Sequence, residues 1–286
     1  MSAYALSLPR RFARLVRLEH TVFALPFAYV GALLAVDGWP GWQSMGWITL
    51  AMAGARTLAM SLNRLVDAEI DARNPRTASR ELPSGALSRG QVLALCAVAL
   101  ALYVLAAFQL DPVVRWLWPI PVVLFVVYPY LKRVTWLCHL WLGAALGLAP
   151  VGAWLAVTGR APWEAWILAA AVALWVAGFD LFYSLFDLEH DLAEGLRSWA
   201  TRFGERGVFD GARALHAGTV ALLALAGWGL SRGAWYWVGV AVVAALLTYE
   251  HRIVRPGDLR RLDAAFFTVN GVISIAFCAF VALDVL

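Results

Sequence analysis

The sequence predicts an all-α integral membrane protein: one membrane-embedded domain, residues 1–286, of nine transmembrane helices with the N-terminus in the cytosol. Three observations carry the prediction. The chain is 62% hydrophobic with a mean hydropathy of +0.71. Only 15% of its residues are charged, and long apolar runs recur from end to end, as membrane-spanning helices require. Basic residues are also sorted by loop. Seventeen Lys and Arg fall in the N-terminal segment and in the loops after the second, fourth, sixth and eighth runs, against three (Arg115, Arg160 and Arg232) in the intervening loops. Basic loops stay in the cytosol. The basic balance therefore reports topology in a cell (inner) membrane and excludes a nucleic-acid footprint.

The runs are read at 20–36, 44–66, 91–110, 113–131, 137–157, 163–186, 211–230, 233–250 and 263–284. In the first, "FALPFAYVGALLA", Pro26 and Gly31 suggest a kinked helix packed closely on its neighbours. His20, at its start, reads as an interfacial histidine or a lining residue of a pocket. Cys96, Cys138 and Cys278 lie inside runs without metal-type spacing, and read as buried thiols. Trp and Tyr near the ends of runs read as an interfacial belt.

The second run ends in "NRLVDAEIDARNPRTASRELPSG", eight charged side chains between two apolar stretches. Arg56, Asn63, Asp67 and Asp71 follow at offsets of seven, four and four, which return to one helix face. If the helix continues past the membrane edge, all four point into one cavity. The sixth run ends in "DLFYSLFDLEHDLAEG", where Asp180, Tyr183, Asp187 and Asp191 repeat the pattern at three, four and four. His190 sits off that face. Charges inside spans cost about 2.5–3.5 kcal/mol each at the bilayer centre, so Arg56 and Asp180 need a polar cavity or each other.

Two carboxylate clusters beside basic side chains suit Mg²⁺, which bridges carboxylates to substrate phosphates. Arg and Lys would take the remaining phosphate oxygens. A diphosphate handled at the membrane surface by apolar helices points to a lipid diphosphate. Membrane carriers hold ionisable residues near the midplane on broken helices, whereas these acids lie at helix ends. The glycine-containing motif expected of a CDP-alcohol phosphotransferase is lacking in "DAEIDARN".

With these motifs in view, the chain resembles the UbiA superfamily of intramembrane prenyltransferases. Asn63 to Gly85 matches its N-x-x-x-D-x-x-x-D signature, "DLFYSLFDLEHD" its second, and "YPYLKR" (Tyr128 to Arg133) its Y-x-x-x-K element. The resemblance implies a bundle around a central cavity and Mg²⁺-dependent transfer of a polyprenyl group from its diphosphate to an aromatic acceptor. By position it implies Asp67, Asp71, Asp187 and Asp191 as metal ligands. Asn63, Arg76 and Arg80 would bind the diphosphate, with Lys132 and Tyr128 at the ionising C–O bond. "RLEHTVFALPFAYVGALLA", headed by Arg17, is similar to enzymes described as 4-hydroxybenzoate polyprenyltransferases, some of whose subgroup act on a dihydroxynaphthoate. Arg17 and Tyr183 join the expected substrate-binding set, Tyr128 and Tyr183 as aromatic walls for an allyl cation. Arg56 is expected to bind the acceptor's carboxylate, or else to pair with Asp180. A carboxylate, Asp180 or Asp191, or else the diphosphate itself is expected to remove the ring proton.

Overall fold

The structure, a computed structural model, describes residues 7–17, 24–255, 257, 259, 262 and 264–286, with no side chains at 264–266. His20 lies outside the described residues. Among these residues every regular element is helical. A short amphipathic helix, α1 (Leu8–Leu15), precedes α2 (Leu25–Val36), α3 (Trp42–Arg73) and α4 (Arg89–Gln109). Then come α5 (Val114–Leu117), α6 (Pro119–Val134), α7 (Cys138–Thr158) and α8 (Trp163–Ser184). The chain ends with α9 (Leu188–Ala193), α10 (Trp199–Gly229), α11 (Ala234–Ile253) and α12 (Asn270–Val285).

Among the described residues six stretches are long and apolar enough to cross a membrane: 89–109, 114–134, 138–158, 163–193, 199–229 and 267–285. The other three expected spans are helical too, but α2 covers only 12 described residues, α3 is diluted by Arg56 and by Gly, Ser and Thr within its apolar stretch, and α11 by its charged end. The expected kink at Pro26 is corrected. Pro26 sits in the first turn of α2, where its missing N–H costs nothing, and it opens the helix. The fourth run breaks after Leu117 ahead of Pro119, and the seventh starts earlier than expected. Ser198 caps α10 through a reciprocal bond with Thr201, and Gly204, at φ 67°, bends the helix before it enters the apolar run.

The helix α8 lies at the centre, between α7 and α10. Trp175, Phe27, Tyr236 and Phe277 fill the core around it, the first two with ring centroids 5.0 Å apart. Small residues set the distances. Gly143 and Gly147, four apart on α7, face the Ala173 and Ala169 carbonyls of α8, and Gly31 of α2 lies on the backbone of Pro150. This is the close approach that small-xxx-small spacing permits where no hydrophobic effect pulls helices together. Trp42, Trp116, Trp163, Trp228 and Trp235 stay exposed beside the four loops opposite the acidic motifs, an arrangement that suits a membrane–water interface.

Candidate active site

At 32 residues, α3 is about 48 Å long, against a hydrocarbon core of about 30 Å. It therefore carries its polar end beyond the apolar layer, and this continuation keeps Asn63, Asp67 and Asp71 on one face. They open into a polar mouth of about 120 Å³. Asp187, Asp191, Lys132, Arg76 and Arg80 line the same mouth, so the structure brings both acidic motifs and the Y-x-x-x-K element together. Arg56, two turns deeper on α3, lines a second space, an apolar chamber of about 310 Å³, together with Asp180. Asn63 and Tyr128 line both. The four α3 side chains thus serve two adjoining cavities where one was expected.

The chamber exists because the surrounding faces lack bulk. Ala51, Ala55 and Ala59 of α3 and Ala145, Ala149, Gly152, Ala153 and Ala156 of α7 border it. Phe125, Tyr128 and Phe179 supply its aromatic wall, and Arg56, Asn63, Tyr103, Tyr128 and Asp180 its few polar groups. An apolar space with a few convergent polar groups is the usual form of a small-molecule site.

In the mouth, five basic side chains stand against four motif carboxylates. Each carboxylate is held by a cation. Arg80 Nη1 donates to Asp71 at 2.7 Å, and Arg64 lies 3.9 Å from it. Arg133 Nη2 donates to Asp67 at 3.2 Å, and the Asn63 amide at 2.9 Å. Arg76 makes a two-armed bond to Asp187, its Nε at 2.9 Å, beside the Asn74 amide at 2.9 Å. Lys132 donates to Asp191 at 3.1 Å. Among the described residues no three Asp, Glu, His or Cys side chains gather closely enough to hold one ion; the carboxylates are spread over their basic partners. Burial, with the Asp71 carboxylate second, pushes Asp67 up to about 6 despite Arg133. Burial also disfavours charge on Arg76, but its bonds to Asp187 outweigh it and hold the guanidinium above its ordinary value.

The loop after α3 is fastened across the mouth. Arg73 pairs with Glu194 at 2.7 Å, and Asn74 and Arg76 reach Asp187. From outside, α1 supports the same loop through Arg11 to the Ala86 carbonyl at 2.9 Å and Arg14 to Glu81 at 3.4 Å.

Several expectations are corrected. The second motif does not repeat the helix geometry of the first, because a 3₁₀ turn, Leu185–Asp187, separates α8 from α9. Tyr183 lines neither cavity; its hydroxyl accepts from Arg76 at 2.9 Å and its ring lies 5.2 Å from the guanidinium carbon. Arg17 lines neither cavity either, and its carbonyl accepts from Arg56 at 3.4 Å. Asp180 is held by His139 Nδ1 at 2.6 Å. Asp191 lies in the mouth with Lys132, away from the chamber's lining. The structure adds Arg64, Asn74, Arg133 and His190 to the mouth and His139 behind the chamber. Of these only His190 carried a signal, its place between the motif acids.

A membrane bundle that joins a charged mouth to an apolar chamber is a site for a substrate with an anionic head and a long apolar tail. Residues 24–272 match the family described as the UbiA prenyltransferase family. The chain belongs to that family and is an enzyme of prenyl transfer. It is 33% identical to the 4-hydroxybenzoate octaprenyltransferase of Aromatoleum aromaticum, over 94% of this chain and 92% of that one. It is 34% identical to the enzyme of that name from Xanthomonas euvesicatoria, over 95% and 92%. Its fold is similar to the apo structure of a UbiA homolog from Aeropyrum pernix K1, with TM-score 0.85 and 34% identity over 94% of this chain and 98% of that one. A UbiA homolog from Archaeoglobus fulgidus, bound to DMAPP and Mg²⁺, shares the fold at TM-score 0.75 and 20% identity, over 95% and 97%.

Proposed function

We propose that this single-domain enzyme transfers a polyprenyl group from its diphosphate to 4-hydroxybenzoate, in quinone biosynthesis, at the cytosolic face of the cell membrane. The observation that carries the reading is the meeting of charged mouth and apolar chamber at Asn63 and Tyr128. A prenyl diphosphate laid across that junction has its phosphates among arginines and its chain among alanines. The names of the relatives support the acceptor, and the basic loops support a nine-span topology with the mouth and N-terminus in the cytosol.

The donor set fits Mg²⁺: four carboxylates and an amide oxygen, with no thiol or thioether among them. Asp67 with Asp71 on one side of the mouth and Asp187 with Asp191 on the other would hold Mg²⁺ between carboxylate and phosphate oxygens, and when bound it would neutralise charge on the departing diphosphate. Arg76, Arg80 and Lys132 exchange carboxylate for phosphate oxygens and bind the anion as the C–O bond breaks. Tyr128 stands at the junction where that bond lies, and with Phe125 and Phe179 it faces the allyl cation. These two phenylalanines take the place expected for Tyr183. Arg56 holds the acceptor's carboxylate in the chamber. The ring carbon ortho to the hydroxyl attacks, and Asp180, which lines the chamber, removes the ring proton.

The test is incubation of the detergent-purified protein with geranyl diphosphate, Mg²⁺ and 4-hydroxybenzoate or 1,4-dihydroxy-6-naphthoate, with product read by mass spectrometry. Prenylated 4-hydroxybenzoate, lost with EDTA, is expected. Product with the naphthoate alone would reassign the acceptor, and no product with either would overturn the aromatic-acid reading.

A pH dependence follows from Asp67. A proton on this carboxylate competes with a cation, so the Mg²⁺ concentration for half-maximal activity should rise as pH falls through about 6. Added Mg²⁺ should restore the rate at the lower pH. A half-maximal concentration that stays level between pH 7.5 and pH 5.5 would remove Asp67 from the ligand set.

A further inference from the structure

Behind the chamber wall lies a pair that no motif announced. Asp180, on α8, lines the chamber, and its Oδ2 lies 2.6 Å from Nδ1 of His139 on α7. His139 is 2% exposed and lines neither cavity. Its Nε2 is buried without a hydrogen-bond partner. An ionised carboxylate only accepts, so the Nδ1 that faces it carries a proton and donates to Asp180.

We propose that His139 is a positioning residue for the transfer reaction: its hydrogen bond holds the Asp180 carboxylate aimed at the acceptor ring. The inference rests on the role given above to Asp180. In the reaction, the ring's electron pair forms the C–C bond while the pair of the allylic C–O bond leaves with diphosphate. The C–H pair then returns to the ring as its proton passes to the Asp180 carboxylate. The cationic ring formed by the attack is strongly acidic, so the base need not be strong. It must be unprotonated and in place. Neither condition comes cheaply here, because the chamber is apolar and a carboxylate without a donor in such surroundings takes up a proton.

A hydrogen bond from a fully buried donor meets both conditions. It favours the charged form and restricts the rotation of a side chain that otherwise faces open space. Arg56 on the same chamber lining supplies a countercharge. The negative charge near the chamber's polar end also favours the allyl cation before the ring attacks. His139 sits one residue into α7, after the Leu137 cap, so a short rigid helix start fixes its position relative to α8.

The test compares His139→Leu, His139→Asn and Asp180→Asn, using acceptor deuterated ortho to its hydroxyl. Asn keeps an N–H donor at nearly the reach of Nδ1, and Leu removes it. With His139→Leu, kcat should fall roughly 10²-fold, the scale of one acid–base contribution. A primary isotope effect, absent in the parent, should appear as proton removal becomes limiting, while prenyl diphosphate binding is unchanged. His139→Asn should restore most of the rate.

A fall without an isotope effect, and without rescue by Asn, would overturn the inference and leave a packing role. Asp180→Asn carrying both effects while His139→Leu carries neither would overturn the inference alone. Neither effect in Asp180→Asn would remove Asp180 as the base, and the pair's role with it. Should His139→Leu fail to fold, the infrared difference between the parent and Asp180→Asn decides the matter. Loss of a carboxylate band supports the inference, and loss of a protonated-acid band overturns it.

Discussion

Replacement of Asp187 by alanine is expected to lower prenyl transfer by about 10³-fold or more. The side chain has two duties in one place. As a proposed ligand it carries part of the charge that anchors the metal and diphosphate. As a clasp it receives Asn74 and both arms of Arg76, and so holds the loop from residue 74 to residue 85 over the mouth. Alanine loses both duties, and it leaves Arg76 half-buried beside Tyr183 without its counterion. Asp187→Asn separates them. Its amide oxygen still accepts from Asn74 and Arg76 Nε, but the charge is gone. If charge on the ligand is what matters, the asparagine enzyme should be nearly as inactive as the alanine one, with a smaller loss of thermal stability than alanine causes, since only the bond from Arg76 Nη2 is lost. Activity within about tenfold of the parent in Asp187→Asn would reduce Asp187 to a clasp.

A second large effect is expected at Gly152. This residue lines the chamber, and a Cβ built there meets nothing within 4 Å. Gly152→Phe should therefore fill part of the chamber without disturbing the fold. Turnover of long polyprenyl donors should drop by about 10²-fold or more as near-attack placement is lost, while geranyl transfer persists. Competition between a short and a long donor, with products weighed by mass spectrometry, reads this directly. Equal losses for both donors would show that the chain lies elsewhere. Gly147→Ala is the contrasting case. Its methyl would sit 2.6 Å from the Ala169 carbonyl oxygen in the α7–α8 contact, so a stability loss of about 1–3 kcal/mol is expected without a change in donor preference.

The first acidic motif was readable because α3 stays regular for its whole length. Four-residue spacing therefore translated directly into a shared face for Asn63, Asp67 and Asp71. The second motif misled because three residues of 3₁₀ turn intervene at Leu185–Asp187. Each turns by about 120° against about 100° in an α-helix, so α9 is rotated by about 60° from the continuous-helix expectation. That rotation turns Asp187, His190 and Asp191, which border the mouth, away from the face of Tyr183, which does not. Asn74 and Arg133 were illegible for a different reason. Their partners come from other elements, and pairing across a bundle leaves no spacing in one strand of sequence. His139 is one polar residue at the head of an apolar helix, and its partner Asp180 lies 41 residues further on, on α8. The chamber was invisible too: alanine reads as span composition, and the space left by absent side chains has no letter of its own.

The ion pairs across the mouth bear on the end of the reaction as much as on its beginning. Arg76, Arg80 and Lys132 each have a carboxylate within reach, so whatever diphosphate gains from them it gains by displacement. Once the prenyl group has moved on, the inorganic diphosphate left behind faces those same rivals, now without a hydrocarbon tail to retain it. If the mouth binds diphosphate as proposed, the carboxylates would limit product inhibition, and the enzyme's grip would relax when the substrate is spent.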